Sequence, residues 1–114
     1  MNSKNQLEGP ILEISRNPNK LVFLLHGYGD TGDNFVSIAH LINEKENKIN
    51  FFAPNAPSPI PQYPLGRQWF DLYPNGINFN QAGQAEIEIL KNDFLFSLEL
   101  IREYINSKCS VYDL

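Results

Sequence analysis

The residues with the clearest chemical potential lie between His26 and Asp33, where three glycines and two aspartates follow a histidine. Glycines at positions 27, 29 and 32 allow the backbone to turn sharply and to lie close to a bound group. An imidazole can accept a proton, and backbone N–H groups in a turn can bind an anion or a developing oxyanion. The stretch therefore predicts a turn that holds a ligand or stabilises negative charge.

One interpretation of this turn is a dinucleotide-binding site. Residues 27–32 satisfy the pattern G-x-G-x-x-G, with a predicted strand before them and a predicted helix after them. However, Asp30 and Asp33 put carboxylates where a pyrophosphate would bind. The next predicted strand is followed by Pro54 and Asn55, where a ribose-binding acid is expected. The nucleotide interpretation stays open as the weaker of two.

The other interpretation is the oxyanion loop of a serine hydrolase. In α/β-type hydrolases a backbone N–H after such a strand helps to bind the oxyanion, and here it would be the N–H of Tyr28. We expect His26 to shape this loop through its own hydrogen bonds, because hydrolases of this fold take the catalytic histidine from late in the chain. Two carboxylates without further ligands are typical of cap and turn residues, so no metal site is predicted.

The segments around the turn predict an α/β fold with a mostly parallel sheet and flanking helices. Apolar runs at residues 11–14, 21–25 and 49–53 predict strands, the first two joined by a tight connection. The run at 21–25 has no polar break, as expected of a strand buried on both faces. A helix over about 34–46, capped by Asp33, would connect two parallel strands by a right-handed crossover.

The second half predicts a rigid loop, a long helix and a further strand. Five prolines within residues 54–64 argue against a helix or a strand ladder there. Helical spacing predicts a helix over about 84–107, and residues 110–114 predict a strand. That strand would leave Val111 and Tyr112 on an exposed sheet edge. The apolar stripe of the helix consists of Ile87, Leu90, Phe94, Leu98, Ile101 and Ile105.

Three segments resemble the first three signatures of the phospholipase/carboxylesterase family, which includes the acyl-protein thioesterases. They are Leu24-Leu-His-Gly-Tyr-Gly-Asp30, Phe52-Ala-Pro-Asn-Ala-Pro57 and Gly66-Arg-Gln-Trp-Phe-Asp71, in the family's order and at plausible spacing. The resemblance covers roughly residues 10–114 and implies the N-terminal part of an α/β-hydrolase domain. It also implies hydrolysis of small carboxylic esters or acyl thioesters by a Ser-Asp-His triad.

The resemblance assigns roles to only two groups of residues. The first group is the oxyanion loop, and the second lies near the acyl site, where Trp69 either packs in the core or lines an acyl groove. The loop comprises His26, Gly27, Tyr28, Gly29 and Asp30, and the second group comprises Trp69, Phe70 and Asp71.

The catalytic triad is absent from these residues. The sequence has no Gly-x-Ser-x-Gly pentapeptide, which the family would place directly after the strand predicted near Ser110. Ser37 and Ser97 fall inside predicted helices and Ser58 in the proline segment, so none lies on a strained strand-to-helix turn. We therefore expect a fold truncated before the nucleophile elbow and inactive alone. A complementary C-terminal hydrolase half, or a non-enzymatic interaction through the exposed edge, remains the alternative.

Composition narrows the remaining classes of protein. A chain of 114 residues that is 42% hydrophobic is ordinary for one domain, in which the polar residues 1–9 are expected to be flexible. A net charge of −4 gives no footprint for nucleic acid, and no apolar run approaches the ~20 residues that span a bilayer. The single Cys109 excludes an internal disulfide, and with no signal peptide the sequence predicts a cytoplasmic protein without a cofactor.

Overall fold

The protein, described by a computed structural model over residues 6–42 and 48–114, is built around a three-stranded sheet. Strands β1 (Ile11–Leu12), β2 (Lys20–Phe23) and β3 (Ile49–Phe52) lie in the order β1-β3-β2. β3 is parallel to β2 and antiparallel to β1. The parallel crossover agrees with the prediction, but β1 and β2 are not neighbours, because β3 lies between them.

A buried amide holds the connection between β1 and β2. Asn50, in β3, is fully buried. Its Oδ1 accepts the N–H groups of Ile14 and Ser15 at 2.8 and 2.9 Å, and its Nδ2 donates to the Ser15 carbonyl at 2.9 Å. These bonds satisfy the backbone where β1 has ended, so one side chain takes the place of strand pairing there.

The predicted helix over 34–46 is divided into short pieces. Helix α1 (Gly32–Phe35) is followed by a 3₁₀ turn (Val36–Ile38) and helix α2 (Ala39–Ile42), and residues 43–46 lie outside the described residues. The predicted cap was wrong. Thr31 has extended backbone and its hydroxyl accepts the N–H of Asn34, whereas Asp33 lies within the first helical turn.

Helices cover both faces of the sheet, as the α/β prediction requires. Successive residues of β3 point to opposite faces, so that Phe51 belongs to one apolar cluster and Phe52 to the other. The first cluster packs with α1, α2 and the turn between them, and the second packs with a long helix, α3 (Gln84–Val111). The first buries Leu24, Ala39, Ile49, Phe51 and Ala53, and the second buries Leu7, Phe52, Leu100 and Tyr104.

A β-hairpin occupies much of the proline segment, so the prediction of no strand ladder was wrong. Strands β4 (Ser58–Ile60) and β5 (Tyr63–Gln68) pair antiparallel, with a register irregularity between Pro59 and Ile60. Each strand of a two-stranded sheet has one unpaired side, where proline's missing N–H costs no ladder bond. The register irregularity between Pro59 and Ile60 is a local departure from regular pairing of the kind that accommodates a proline within a strand.

The predicted final strand is also wrong, because α3 continues to Val111. Beyond it the N–H groups of Tyr112 and Leu114 both donate to the carbonyl of Cys109, at 3.2 and 2.8 Å, and Asp113 is left-handed with φ 60°. The Tyr112 hydroxyl donates to Glu13 Oε2 at 2.7 Å. A helix and its closing turn satisfy their backbone locally, whereas a strand needs a partner strand.

The periodicity of α3 was predicted correctly but its orientation was not. Its buried face is centred on Ser97, Leu100 and Tyr104, whereas Phe94 and Leu98 of the predicted stripe are about half exposed. The helix therefore exposes apolar side chains on several sides; together these residues are called here the outer face of α3, a name for their exposure to solvent and not for one side of the helix. This face comprises Ile87, Phe94, Leu95, Phe96, Leu98 and Val111.

Part of the N-terminal segment, expected to be flexible over residues 1–9, contacts the rest of the chain. Leu7 is buried in the second cluster, and the carbonyl of Glu8 accepts the N–H of Asn55 at 2.8 Å. Residues 1–5 lie outside the described residues. Across residues 6–42 and 48–114, none of the helices combines the length and apolar character needed to cross a membrane.

Candidate functional site

The loop that follows β2 starts at the end of the parallel pair. Leu24 still donates its N–H to the Phe52 carbonyl at 2.8 Å and is buried. Leu25, expected to be buried on both faces of the sheet, is 42% exposed. Within the described residues β2 pairs only with β3, which explains this exposure and leaves the outer edge of β2 open at the loop.

His26 is buried and both of its ring nitrogens are bonded. The N–H of Ala56 donates to Nε2 at 3.0 Å, and Nδ1 lies 2.7 Å from the carbonyl of Gly27. Because an N–H can only donate and a carbonyl can only accept, we assign the ring proton to Nδ1. The lone pair of Nε2 is thus occupied by the backbone and is not free to take a proton from a nucleophile.

Backbone hydrogen bonds clamp the following turn to β5. Gly29 donates its N–H to the carbonyl of Arg67 at 3.0 Å, and Arg67 donates in return to the carbonyl of Asp30 at 3.1 Å. Gly29 is left-handed, with φ 85°. A Cβ on Gly66 would lie 2.2 Å from the Gly29 carbonyl oxygen, so the close approach of loop and hairpin requires glycine there.

The side chain of Arg67 ties the hairpin to the segment after β3. Its Nε donates to the carbonyl of Ala56 at 2.9 Å and its Nη2 to that of Pro57 at 2.7 Å. Ala56 is the residue whose N–H binds His26. The three segments singled out in the sequence, separated along the chain, therefore meet in one hydrogen-bonded network.

Trp69 completes this network from the other side. Its indole Nε1 donates to the carbonyl of His26 at 2.8 Å, and the two rings lie 5.3 Å apart. Ser97 of α3 donates its hydroxyl to the Trp69 carbonyl. The ring also packs against the cluster that contains Phe52 and Leu100. These contacts show packing of Trp69 against the core, and its role in lining an acyl groove stays a prediction.

The two residues after Trp69 face different surroundings. The ring of Phe70 lies 6.0 Å from that of Phe94 in an edge-on arrangement. The backbone N–H of Asp71 donates to the carboxylate of Asp93 in α3, with 3.1 Å to Oδ2, and the Oδ1 of Asp71 accepts the N–H of Tyr73 at 2.9 Å. Thus Phe70 lies against the helix, while Asp71 shapes the turn that carries Tyr73.

Tyr28 has a backbone donor that the fold does not use. Its neighbours Gly29 and Asp30 donate to Arg67 and Gly27, but the N–H of Tyr28 makes no hydrogen bond to any described residue. Its side chain is half exposed and lies edge-on to the ring of Tyr73, with centroids 6.4 Å apart. A free N–H in a clamped turn can donate to a carbonyl oxygen or an oxyanion.

Protein acceptors occupy the donors at the start of α1. Asp30 Oδ1 accepts the N–H of Thr31 at 2.8 Å and the amide of Asn34 at 3.1 Å, and these bonds lower the pKa of Asp30. The N–H of Gly32 donates to Asn55 Oδ1 at 2.7 Å. These donors are not available to a pyrophosphate. Nowhere in the described parts of the chain do three or more His, Cys, Asp or Glu side chains come together as metal ligands.

A cleft of about 620 Å³ opens beside Tyr28, between the hairpin and the segment after Trp69. We call it the tyrosine cleft, since three of the five tyrosines of the chain line it. Its walls comprise Tyr28, Ile60, Pro61, Gln62, Tyr63, Gln68, Asp71, Tyr73, Asn75 and Gly76.

Sequence reasoning missed the residues that position the loop. Arg67 and Ser97 hold the hairpin and Trp69 through side-chain hydrogen bonds to carbonyls. Arg67 lies within the segment 66–71 that resembles the family, and this position could have marked it as a residue of the site. Ser97 offered none, because its partner Trp69 is 28 residues away in sequence.

Comparisons with known proteins identify the family and agree with the fold. The family model for phospholipase/carboxylesterase matches residues 9–109. A crystal structure of esterase PE8 is similar over 96% of this chain, with a TM-score of 0.73 and 23% sequence identity. The chain spans 47% of the length of that esterase.

Proposed function

This chain belongs to the phospholipase/carboxylesterase family, and from that premise we propose that it forms the oxyanion-binding part of a serine hydrolase acting on carboxylic esters or thioesters. The observation that carries the proposal is the unused N–H of Tyr28, in a turn where the N–H groups of the next two residues, Gly29 and Asp30, are both engaged. An oxyanion donor is effective when it is fixed before the charge develops.

The surrounding bonds support such fixation. His26, Gly29 and Asp30 are each held by hydrogen bonds to the hairpin or to the segment after β3. Little reorganisation is then needed when the carbonyl oxygen of an ester becomes an oxyanion. In the proposed reaction a serine attacks the acyl carbon, a histidine takes and returns the proton, and the N–H of Tyr28 is one of the oxyanion donors.

The serine, aspartate and histidine of the triad belong to further polypeptide in this proposal. The sequence has no Gly-x-Ser-x-Gly, and the lone pair of His26 is occupied. The open edge of β2 supports this arrangement, because a parallel strand added there would end beside the loop that holds Tyr28. The further polypeptide either continues this chain or is a separate complementary half. The single cysteine fits a cytoplasmic setting.

Hydrolysis of p-nitrophenyl acetate and butyrate tests the proposal. The chain is mixed with, or fused to, the polypeptide encoded directly downstream, and we expect activity that neither piece has alone. The decisive variant is Tyr28→Pro, which removes the N–H, with Tyr28→Ala as the matched control that keeps it. We expect the proline to lower kcat by about 10²–10³ and the alanine to retain it.

The outcome that contradicts the proposal is a Tyr28→Pro protein that keeps full activity, since the N–H would then have no part in the reaction. Circular dichroism of each variant verifies that the proline leaves the fold intact. Absence of hydrolysis in both the mixture and the fusion would also contradict it.

A further inference from the structure

The tyrosine cleft has an unusual combination of walls. Tyr28, Tyr63 and Tyr73 are 45%, 49% and 50% exposed, so three large rings stand half in solvent around one opening. The rings of Tyr28 and Tyr73 are steeply inclined, at 76° with centroids 6.4 Å apart. Two walls therefore meet nearly at right angles, and Tyr63 on the hairpin supplies a third.

A cleft lined by several aromatic rings favours a particular class of ligand. The face of an aromatic ring carries partial negative charge, and several faces around one space attract a cation that is weakly hydrated. Quaternary ammonium groups meet this description, since their methyl groups contact the rings while their charge is attracted by the faces. An acyl chain would gain only the apolar part of this interaction.

The net charge of the residues that line the cleft favours binding of a cation. Asp71 is the one charged residue among the lining residues, and no lysine or arginine is among them. One oxygen of the Asp71 carboxylate accepts the backbone N–H of Tyr73, so the negative charge lies beside the backbone of the residue that carries this ring. A volume of about 620 Å³ exceeds that of an ammonium group alone, leaving room for the rest of a small ligand.

We propose that the tyrosine cleft binds the quaternary ammonium group of a small ester, with Tyr28, Tyr63 and Tyr73 as its walls and Asp71 as its counter-charge. The assignment of this group to an ester substrate rests on the proposed function, because the cleft adjoins the loop that holds the N–H of Tyr28. Binding of the cation itself does not require the triad and is measured on the 114-residue chain.

The test is an NMR titration of the ¹⁵N-labelled chain at constant ionic strength. Choline is compared with 3,3-dimethylbutan-1-ol, an uncharged molecule of the same shape. We expect saturable shifts of the Tyr28 and Tyr73 amides with choline and at least about tenfold weaker binding of the alcohol. Equal binding of the two would show a merely apolar cleft, and absence of choline binding would likewise overturn the proposal.

Variants locate the bound cation. Tyr73→Leu removes a ring face and should weaken choline binding at least about fivefold, whereas Tyr73→Phe keeps the face and should bind as the parent does. Asp71→Asn keeps an acceptor for the Tyr73 N–H and should weaken binding a few-fold. If Tyr73→Leu does not fold, Tyr63→Leu and Tyr63→Phe form the equivalent pair on the hairpin. Unchanged binding in the leucine variants would overturn the proposal.

Sedimentation with phosphatidylcholine vesicles identifies the source of the cation. Pelleting that choline suppresses assigns a lipid headgroup, and a chain that stays in the supernatant while binding choline assigns a free ester. The proposed function fails separately: choline binding without hydrolysis in the mixed or fused protein would contradict the reaction and leave the cation site in place.

Discussion

The loop after β2 and the outer face of α3 are built in opposite ways. In the loop, backbone and side-chain hydrogen bonds join His26, Gly29 and Asp30 to segments far along the chain. On the outer face of α3, Phe96 and Leu98 stand about half exposed, and the nearby β2 has an open edge within the described residues. One region is held in place by hydrogen bonds to the rest of the chain, and the other displays apolar surface and an unpaired strand edge.

This difference supports the proposal that the active site is divided between this chain and further polypeptide. Under the proposed function an oxyanion donor needs fixed geometry, and the loop that holds Tyr28 is fixed by bonds within this chain. Exposed apolar side chains and an open strand edge are features that other proteins cover with further structure. The contrast supports a protein that holds half of an active site and obtains the other half from further polypeptide.

The largest expected effect contrasts two phenylalanines. Phe52 of β3 is 1% exposed, with its ring packed against Phe23 of β2 and Tyr104 of α3. Phe52→Ala should therefore lower the free energy of unfolding by about 3–5 kcal/mol. Phe96 on the outer face of α3 is 53% exposed, and Phe96→Ala should change it by only about 0.5 kcal/mol. Urea denaturation of both variants measures the difference. Equal losses would show that the outer face is already covered.

The second prediction contrasts the two histidines. His26→Ala leaves the buried N–H of Ala56 without its acceptor and removes a packed ring, at a cost of about 2–4 kcal/mol. His40 is exposed on α2, and His40→Ala should be within about 0.5 kcal/mol of the parent. The free energies of unfolding test this pair. A His26→Ala protein as stable as the parent would remove the basis for calling the loop fixed.

The third prediction contrasts two glycines of the loop and hairpin. Gly66→Ala would push a Cβ to 2.2 Å from the Gly29 carbonyl oxygen and should destabilise the chain by about 1–3 kcal/mol. At Gly27 a Cβ would meet no atom within 4 Å, so Gly27→Ala should cost much less. NMR shifts of the Gly29 and Arg67 amides should move in the first variant alone. Equal behaviour of the two would contradict the clamped loop.

The smallest expected effect is the pH dependence that Asp30 contributes. The N–H of Thr31 and the amide of Asn34 lower the pKa of Asp30 from its ordinary value of 3.8. A carboxyl whose pKa is lowered on folding stabilises the protein above its unfolded pKa and loses this contribution as pH falls through the folded value. Asp30→Asn should therefore lower Tm slightly at pH 7, and the gap should close below pH 3.8. A gap that persists in acid would contradict this.

The sequence predicted the strand β2 and the turn after it better than it predicted which segments form strands at the edge of a sheet. The apolar run after residue 20 and the glycines that follow predicted the strand and the turn, because both depend on local sequence. The fate of residues 110–114 depends on whether a partner strand is present, which local apolar character does not reveal. Similarly, the prolines of residues 54–64 exclude a central strand but are compatible with a two-stranded hairpin.

The candidate site was predicted as a set of segments but not as a network. Two residues from different segments, His26 and Trp69, lie in contact, with the indole Nε1 of Trp69 donating to the His26 carbonyl. The bonds that hold them run through carbonyls, as from Arg67 to Ala56 and Pro57, and a carbonyl has no signature in sequence. The orientation of α3 was missed for a related reason, since Ser97 faces inward because its hydroxyl donates to the Trp69 carbonyl and not because it is hydrophobic.

The central claim is tested most directly by measuring whether the 114-residue chain alone hydrolyses an ester through a nucleophilic serine. The purified chain is incubated with p-nitrophenyl butyrate and, separately, with a fluorophosphonate that labels activated serines. We expect no hydrolysis above the uncatalysed rate and no labelled serine, because the sequence has no Gly-x-Ser-x-Gly and the proposal places the triad on further polypeptide. Turnover that survives purification and stops when one serine is stoichiometrically labelled would contradict the claim that the catalytic groups lie on further polypeptide.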